Sequence, residues 1–410
     1  MSPHLSPVPR ERSPRLRTRT ARVVVTTSLL AGLSGGLAAG PVAATGALDA
    51  RAASGRHDQS PETAAVNRTA AGSHTVTWSA PGRHVVFASS NRVNPSKSGR
   101  RVGASAWGSV TVKRLDPRAR WYFEVAPARA VRAAAREGRD VRGTVVSTRS
   151  VGLDGSTNTR DLGGMRTSDG RSVRWGVLFR SDAVTAPTER DMAVLRSMRL
   201  RHVVDFRAES EVAASGPNRL PAGVTAHAVP LLDASTDALS QAIQAALRER
   251  DPAIVEALLG DGKAEQIAAD GPIDLIRSTP AREGFAATLR TLAASDGVPL
   301  IFNCTAGKDR TGVFAAVLQR LLGVSERTVL ADYELSNSYR ATGNAATYER
   351  LSAAGVDLAL IRPLLEQSGA NLAGMFRAIE EDYGTFDRFL LRGLGLERST
   401  IAALKARLLV

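Results

Sequence analysis

The chain has 410 residues, 43% of them hydrophobic and 23% charged, enough to bury a core in each of two domains and to leave extensions besides. A formal net charge of +14 would suit a polyanion, but residues 1–70 balance at +5, residues 71–150 at +11 and residues 151–410 at −2. With the excess confined to the front, and neither an internal repeat nor a nucleic-acid-binding motif present, nucleic acid is set aside as a partner.

Residues 1–47 are predicted to be an export signal. Arg10, Arg12, Arg15, Arg17, Arg19 and Arg22 precede an apolar run from Val23 to Ala39, and Val42-Ala43-Ala44 and Thr45-Gly46-Ala47 offer small-residue cleavage sites. The alternative, an uncleaved anchor, is weakened by Gly32, Gly35 and Gly36, which interrupt a run already short of the roughly 20 residues a spanning helix needs. A secreted or extracytoplasmic location is therefore expected. Residues 48–70, rich in Ala, Ser, Gly and polar residues, read as a disordered linker.

A small all-β sandwich is predicted over residues 71–145. His74–Trp78, His84–Ala88, Ser109–Val112 and Trp121–Val125 are short β-branched or aromatic runs, separated by turn formers such as Pro81-Gly82 and Asp116-Pro117. The early Trp78, with the stretch from Leu115-Asp116-Pro117 to Trp121-Tyr122-Phe123, resembles a fibronectin type III-like module. Arg92, Lys97, Arg100, Arg101, Lys113, Arg114, Arg118 and Arg120 would give it a basic face for anionic cell-wall polymers or a membrane surface, or would simply be solvated.

From residue 150 to 410 short apolar strands alternate with helical patterns, an α/β arrangement. Val177–Arg180, His202–Phe206 and Val298–Phe302 read as strands, and Arg310–Leu322 as a helix that stops at Gly323. The helical stretch 240–285, lying in sequence between Asp205 and Cys304, is placed as a lid. The segment from Cys304 to Arg310 thus sits at the carboxyl end of a strand and the amino end of a helix, where open α/β sheets bind ligands.

That segment holds the only cysteine of the chain, so no internal disulfide exists and the thiol is available for chemistry. Cys304-Thr305-Ala306-Gly307-Lys308-Asp309-Arg310 is a Cys-x5-Arg loop whose backbone N–H groups can turn inward around one tetrahedral anion, with the helix dipole adding positive potential. The same field favours thiolate over thiol. Arg310 supplies a planar fork for two phosphate oxygens, and the Thr311 hydroxyl is placed to help release a phosphocysteine. A Walker A loop is excluded, because Phe302 stands where its first glycine belongs and Asp309 follows Lys308 where Ser or Thr is required. His57, His74, His84, His202 and His227 show no metal-ligand spacing, and no metal or other cofactor is expected.

Cys304-Thr305-Ala306-Gly307-Lys308-Asp309-Arg310-Thr311-Gly312 closely resembles the signature of the bacterial secreted tyrosine and phosphoinositide phosphatases. Asn158-Thr159-Arg160-Asp161-Leu162-Gly163-Gly164, Leu178–Asp182, Val204–Arg207, Ala331-Asp332-Tyr333 and Tyr383-Gly384-Thr385-Phe386 are similar to further motifs of that family. The resemblance implies a Cys-dependent phosphatase-like central sheet flanked by helices, acting on phosphotyrosine, other phosphoproteins or phosphoinositides through a phosphocysteine. It assigns Cys304 as nucleophile, Arg310 as the phosphate fork, and Thr305, Ala306, Gly307, Lys308, Asp309 and Thr311 as the substrate-binding loop. Asp205 is the first candidate for the general acid, with Asp309 its rival and an ion pair to Arg207 or Arg180 its structural alternative. Arg160 and Asp161 are expected to pair and brace the loop. The family's usual histidine before the cysteine is Asn303 here, which keeps open a weakened, phospho-ligand-binding protein. Arsenate reduction lacks the second cysteine it would need.

Overall fold

Alternating short strands close a two-sheet sandwich in the computed structural model, which describes residues 63–69 and 71–410. The expected signal at 1–47 and linker residues 48–62 lie outside the described residues. Strands β1 (Ala64–Arg68), β2 (His74–Trp78), β3 (His84–Ser89), β4 (Arg100–Ser105), β5 (Ser109–Val112), β6 (Tyr122–Pro127) and β7 (Thr144–Ser147) form two antiparallel sheets, ordered β1-β2-β5 and β4-β3-β6-β7. Inward residues Val76, Val86, Phe123 and Val125 of both sheets meet in one dry layer, as the alternating pattern requires.

Two expectations need correction here. Residues 64–68 are not linker: they pair in register with β2, Val66 facing Val76, and a five-residue edge strand with one buried valine carries too little alternation to be read. Arg120 is not on a basic face, although Arg100, Arg101, Lys113, Arg114 and Arg118 are exposed. Only 4% exposed, it turns into the second domain, donating to Asp161 Oδ2 at 2.8 Å and to the Thr148 carbonyl at 2.7 Å, with its guanidinium 5.4 Å from the ring centroids of Tyr122 and Phe179.

In the second domain β8 (Arg160–Asp161), β9 (Leu178–Ser181), β10 (His202–Asp205), β11 (Thr225–Ala228) and β12 (Leu300–Asn303) form one sheet in the order β11-β10-β12-β9-β8. All pairings are parallel except β8 with β9. Every residue of β9 and β12 is buried, as expected of central strands covered on both faces. Because β12 is inserted between β9 and β10, the loop that follows it opens between their carboxyl ends. The next helix, Asp309–Leu322, is buried at every position but Arg320 and ends at Gly323, whose φ of 91° is the left-handed cap that glycine adopts freely. Phe314 on that helix packs on Phe206, Phe285 and Phe302 with centroids 4.8–5.4 Å apart, pinning helix to sheet just beneath the loop.

The stretch 240–285 divides. Ile243, Leu247, Val255 and Leu259 pack with Leu351 and Ile361 in a cluster of their own, whereas Leu275, Ile276 and Phe285 belong to the main core. Its second half is therefore a core layer and no lid.

Arg120→Ala would leave Asp161, which is fully buried, without its cation. A loss of about 3–5 kcal/mol in unfolding free energy is expected, measurable by denaturant melts, with Arg120→Lys recovering part of it.

Candidate active site

Cys304 directly follows β12 with no exposed surface, and the four peptide units after it are held from outside. The Thr305 carbonyl accepts from the Ala183 amide at 3.2 Å, and the Ala306 carbonyl from Asn158 Nδ2 at 3.0 Å and Arg340 Nη1 at 3.3 Å. The Gly307 carbonyl accepts from Asn158 Nδ2 and Arg180 Nη2, both at 3.0 Å, and the Lys308 carbonyl from Arg180 Nη2 at 3.4 Å. With its carbonyls captured outside, the loop turns its N–H groups inward. Gly307 makes the turn possible: its φ is +67°, and a Cβ there would lie 2.4 Å from the backbone of Ser181 and Asp182.

Arg310, on the first turn of the helix, is fully buried and bound to a carboxylate the sequence reading missed. Nη1 donates to Glu211 Oε2 at 2.5 Å and to the Phe206 carbonyl at 3.1 Å, and Nη2 to Glu211 Oε1 at 2.6 Å. Three of the five guanidinium N–H groups are thus used. Nε has no partner, and its N–H with the remaining Nη2–H forms one free edge, a second fork for two oxygens of one anion. Burial alone would lower the pKa of Arg310, but the charge and hydrogen bonds of Glu211, with the other acidic groups around it, together hold the pKa above the ordinary value. Conversely, burial raises Glu211, and the Arg310 charge brings it below the usual carboxylate range. Glu211 also accepts from the Thr305 hydroxyl and from the Ala208 amide at 2.9 Å.

Beneath the loop Asp332 gathers three arginines. Arg149 Nη2 lies at 2.5 Å, Arg180 Nη1 at 2.9 Å and Arg160 Nε at 3.3 Å, and Gln319 Nε2 adds a bond at 3.1 Å. Burial pushes this carboxyl up, yet the surrounding guanidinium charges hold it well below its usual range. Arg160 and Asp161 do not pair. Adjacent strand residues face opposite sides, so Arg160 reaches Asn158 Oδ1 at 2.5 Å and Ser336 Oγ at 3.1 Å, while Asp161 accepts from the Gly163 and Gly176 amides and from Arg120, each at 2.8 Å.

Asp205 adopts its structural alternative. Oδ1 accepts from Arg207 N, Arg207 Nε and Asn303 Nδ2 at 3.1, 2.9 and 3.1 Å, and Oδ2 from Arg207 Nη2 and Asn218 Nδ2 at 2.6 and 2.9 Å. Asn303 Oδ1 in turn accepts from Asn218 at 2.9 Å. Lys308 is buried against Asp309, with Nζ to Oδ1 at 2.9 Å, and Gln367 Nε2 donates to the same oxygen at 2.7 Å. Burial lowers the Lys308 pKa, against the pull of Asp309. Thr311 is buried, and its Oγ1 has no partner. No group of three or more metal-ligating side chains occurs among the described residues.

A ring of inward amides around one thiol, closed by an arginine fork and seated at the head of a helix, is built for a tetrahedral dianion and defines a phosphomonoester hydrolase of the tyrosine-phosphatase class. The chain belongs to the tyrosine phosphatase family, which matches residues 151–410. A Cupriavidus necator protein named as a candidate tyrosine-protein phosphatase is 34% identical over 249 residues, covering 60% of this chain and 85% of its own length. The triple specificity protein phosphatase PtpB of Mycobacterium tuberculosis is 28% identical over 284 residues, 63% of this chain and 98% of its own. A tyrosine-protein phosphatase of Nostoc commune is 31% identical over 129 residues, 30% of this chain and 44% of its own.

Glu211→Gln weakens the brace on Arg310, and kcat/KM for an aryl phosphate is expected to fall roughly 10–100-fold through misplacement of the fork. Its acid-side stability should change too. A carboxyl with a depressed folded pKa stabilises above its unfolded value and loses that contribution as pH falls through the folded value, so melts below about pH 4.5 should show a shallower decline for the variant.

Proposed function

We propose that the chain hydrolyses phosphomonoesters through a phosphocysteine on Cys304, and the capture of the loop carbonyls from outside is the observation that carries this reading. The Cys304 thiolate attacks phosphorus in line with the leaving oxygen. The S–P bond forms as the P–O bond breaks, a proton passes to the leaving oxygen, and water then cleaves S–P to release phosphate. Inward amides and the free edge of Arg310 bind the phosphoryl oxygens through both steps. The unpartnered Thr311 hydroxyl is available to the sulfur as it departs.

The substrate class we infer is phosphotyrosine and other phosphoproteins, with phosphoinositides admitted on the likeness of the loop motif, since the Lys308 charge is met by Asp309. The relative named for triple specificity supports a pocket not confined to one ester. Export by residues 1–47 and a fibronectin type III-like module remain part of this reading, the latter supported by the seven-stranded two-sheet order.

Asp309 is the better proton donor of the two carboxylates. Both oxygens of Asp205 are filled with donors, leaving no lone pair for a transferable proton, whereas Asp309 sits on the loop itself. Asp309→Asn should lose rate most steeply on alkyl phosphates, whose leaving groups need protonation. Asp205→Asn should lose it evenly across leaving groups. The reversed pattern would return the role to Asp205.

Asn303 occupies the histidine position and ties Cys304 to Asp205 and Asn218, which argues for activity over binding alone. Purified protein should turn over a chromogenic aryl phosphate, Cys304→Ser should not, and Asn303→His should change the rate less than about tenfold. An inert wild type restored by Asn303→His would instead establish the phospho-ligand-binding alternative.

A further inference from the structure

Arginines from both domains meet at the seam between them. A cavity of about 300 Å³ opens there, lined by Arg92 from the sandwich, by Arg199 and Arg201 at the foot of β10, and by the polar groups of Asn91, Tyr122 and Ser197. No acidic side chain lines it. Among the described residues Arg92, Arg199 and Arg201 have no carboxylate within ion-pair distance, and Asp161, whose field reaches Arg92, is already engaged by Arg120. Burial lowers the Arg92 pKa, and the Arg174 and Arg199 cations lower it further, against Tyr122 and Asp161. Arg92 is half-buried, while Arg199 and Arg201 are exposed at the rim, so an anion entering the cavity would meet three guanidinium groups and no competing carboxylate in its lining.

We propose that this cavity is a second anion site, which takes a phosphate group carried by a small molecule or by a lipid headgroup. Its place in the fold separates it from the catalytic loop. Pro299 and Arg201 lie at the amino ends of β12 and β10, and Cys304 follows the carboxyl end of β12, about 16 Å of strand from Pro299 at the parallel rise. One bound phosphate therefore cannot reach both. Because the cavity draws its arginines from both domains, occupancy also clamps sandwich to catalytic domain, and the site does not depend on the catalytic reading.

Full-length Cys304→Ser protein titrated calorimetrically with inorganic pyrophosphate should bind two equivalents, and Arg92→Ala with Arg199→Ala should remove one of them. Arg92→Lys with Arg199→Lys, which keeps the charges, should retain that equivalent with weaker affinity, and higher salt should weaken it further. If the catalytic cradle itself fails to bind, the counts become one and none, so the two readings fail separately. In an otherwise wild-type chain the alanine pair should leave KM for an aryl phosphate within twofold. Sedimentation with phosphatidylglycerol against phosphatidylcholine vesicles, competed with pyrophosphate, separates the sources: arginine-dependent, competable sedimentation identifies a headgroup, and pyrophosphate binding alone identifies a free phosphate. An unchanged stoichiometry in the alanine pair overturns the proposal.

Discussion

A peptide unit points its carbonyl and its N–H in opposite directions, so whatever captures the one aims the other. In this protein the carbonyls from Thr305 to Lys308 are held by the Ala183 amide, Asn158, Arg180 and Arg340. Everything the loop offers a dianion follows from that external grip. It also explains why so much charge is buried in a region that touches no substrate. Asn158 is oriented by Arg160, Arg160 and Arg180 by Asp332, and removing any of these would free a carbonyl to turn back into the cradle.

The buried ion pairs divide into two kinds. Asp332 with its three arginines is a fixed scaffold: its charges are spent on one another and on the loop carbonyls, and the low dielectric that makes them costly to bury also makes the arrangement hard to distort. Glu211 with Arg310 is different, because it consumes only one side of the guanidinium and leaves the other side in place for phosphate. Pre-orienting a long cationic side chain in this way reduces the conformational entropy lost when substrate arrives.

Local features were legible in the sequence and distant ones were not. The Cys304–Arg310 spacing, the apolar run into it and the stop at Gly323 are contiguous signals, and each has its counterpart in β12, the loop and the helix Asp309–Leu322. Glu211 gives no such signal, since it stands 99 residues from Arg310 and reads as an ordinary first-turn acid of the helix Glu209–Ser215. Asn158, 149 residues from Gly307, stands in a motif that by itself assigns it no role. Pairing Arg160 with Asp161 failed because nearness in sequence is separation across a strand. Arg120 misled for a related reason: a basic residue among basic neighbours looks solvated, and its carboxylate partner lies 41 residues on.

Family likeness begins at residue 151, but the physical unit begins earlier. Asp161 holds the turn amides of Gly163 and Gly176 and depends on a cation lent by the sandwich. A fragment trimmed to the recognisable hydrolase would carry an orphaned negative charge under its own sheet, and exchanging the front module for an unrelated one would do the same. Expression boundaries drawn from likeness alone would therefore cut through a shared foundation.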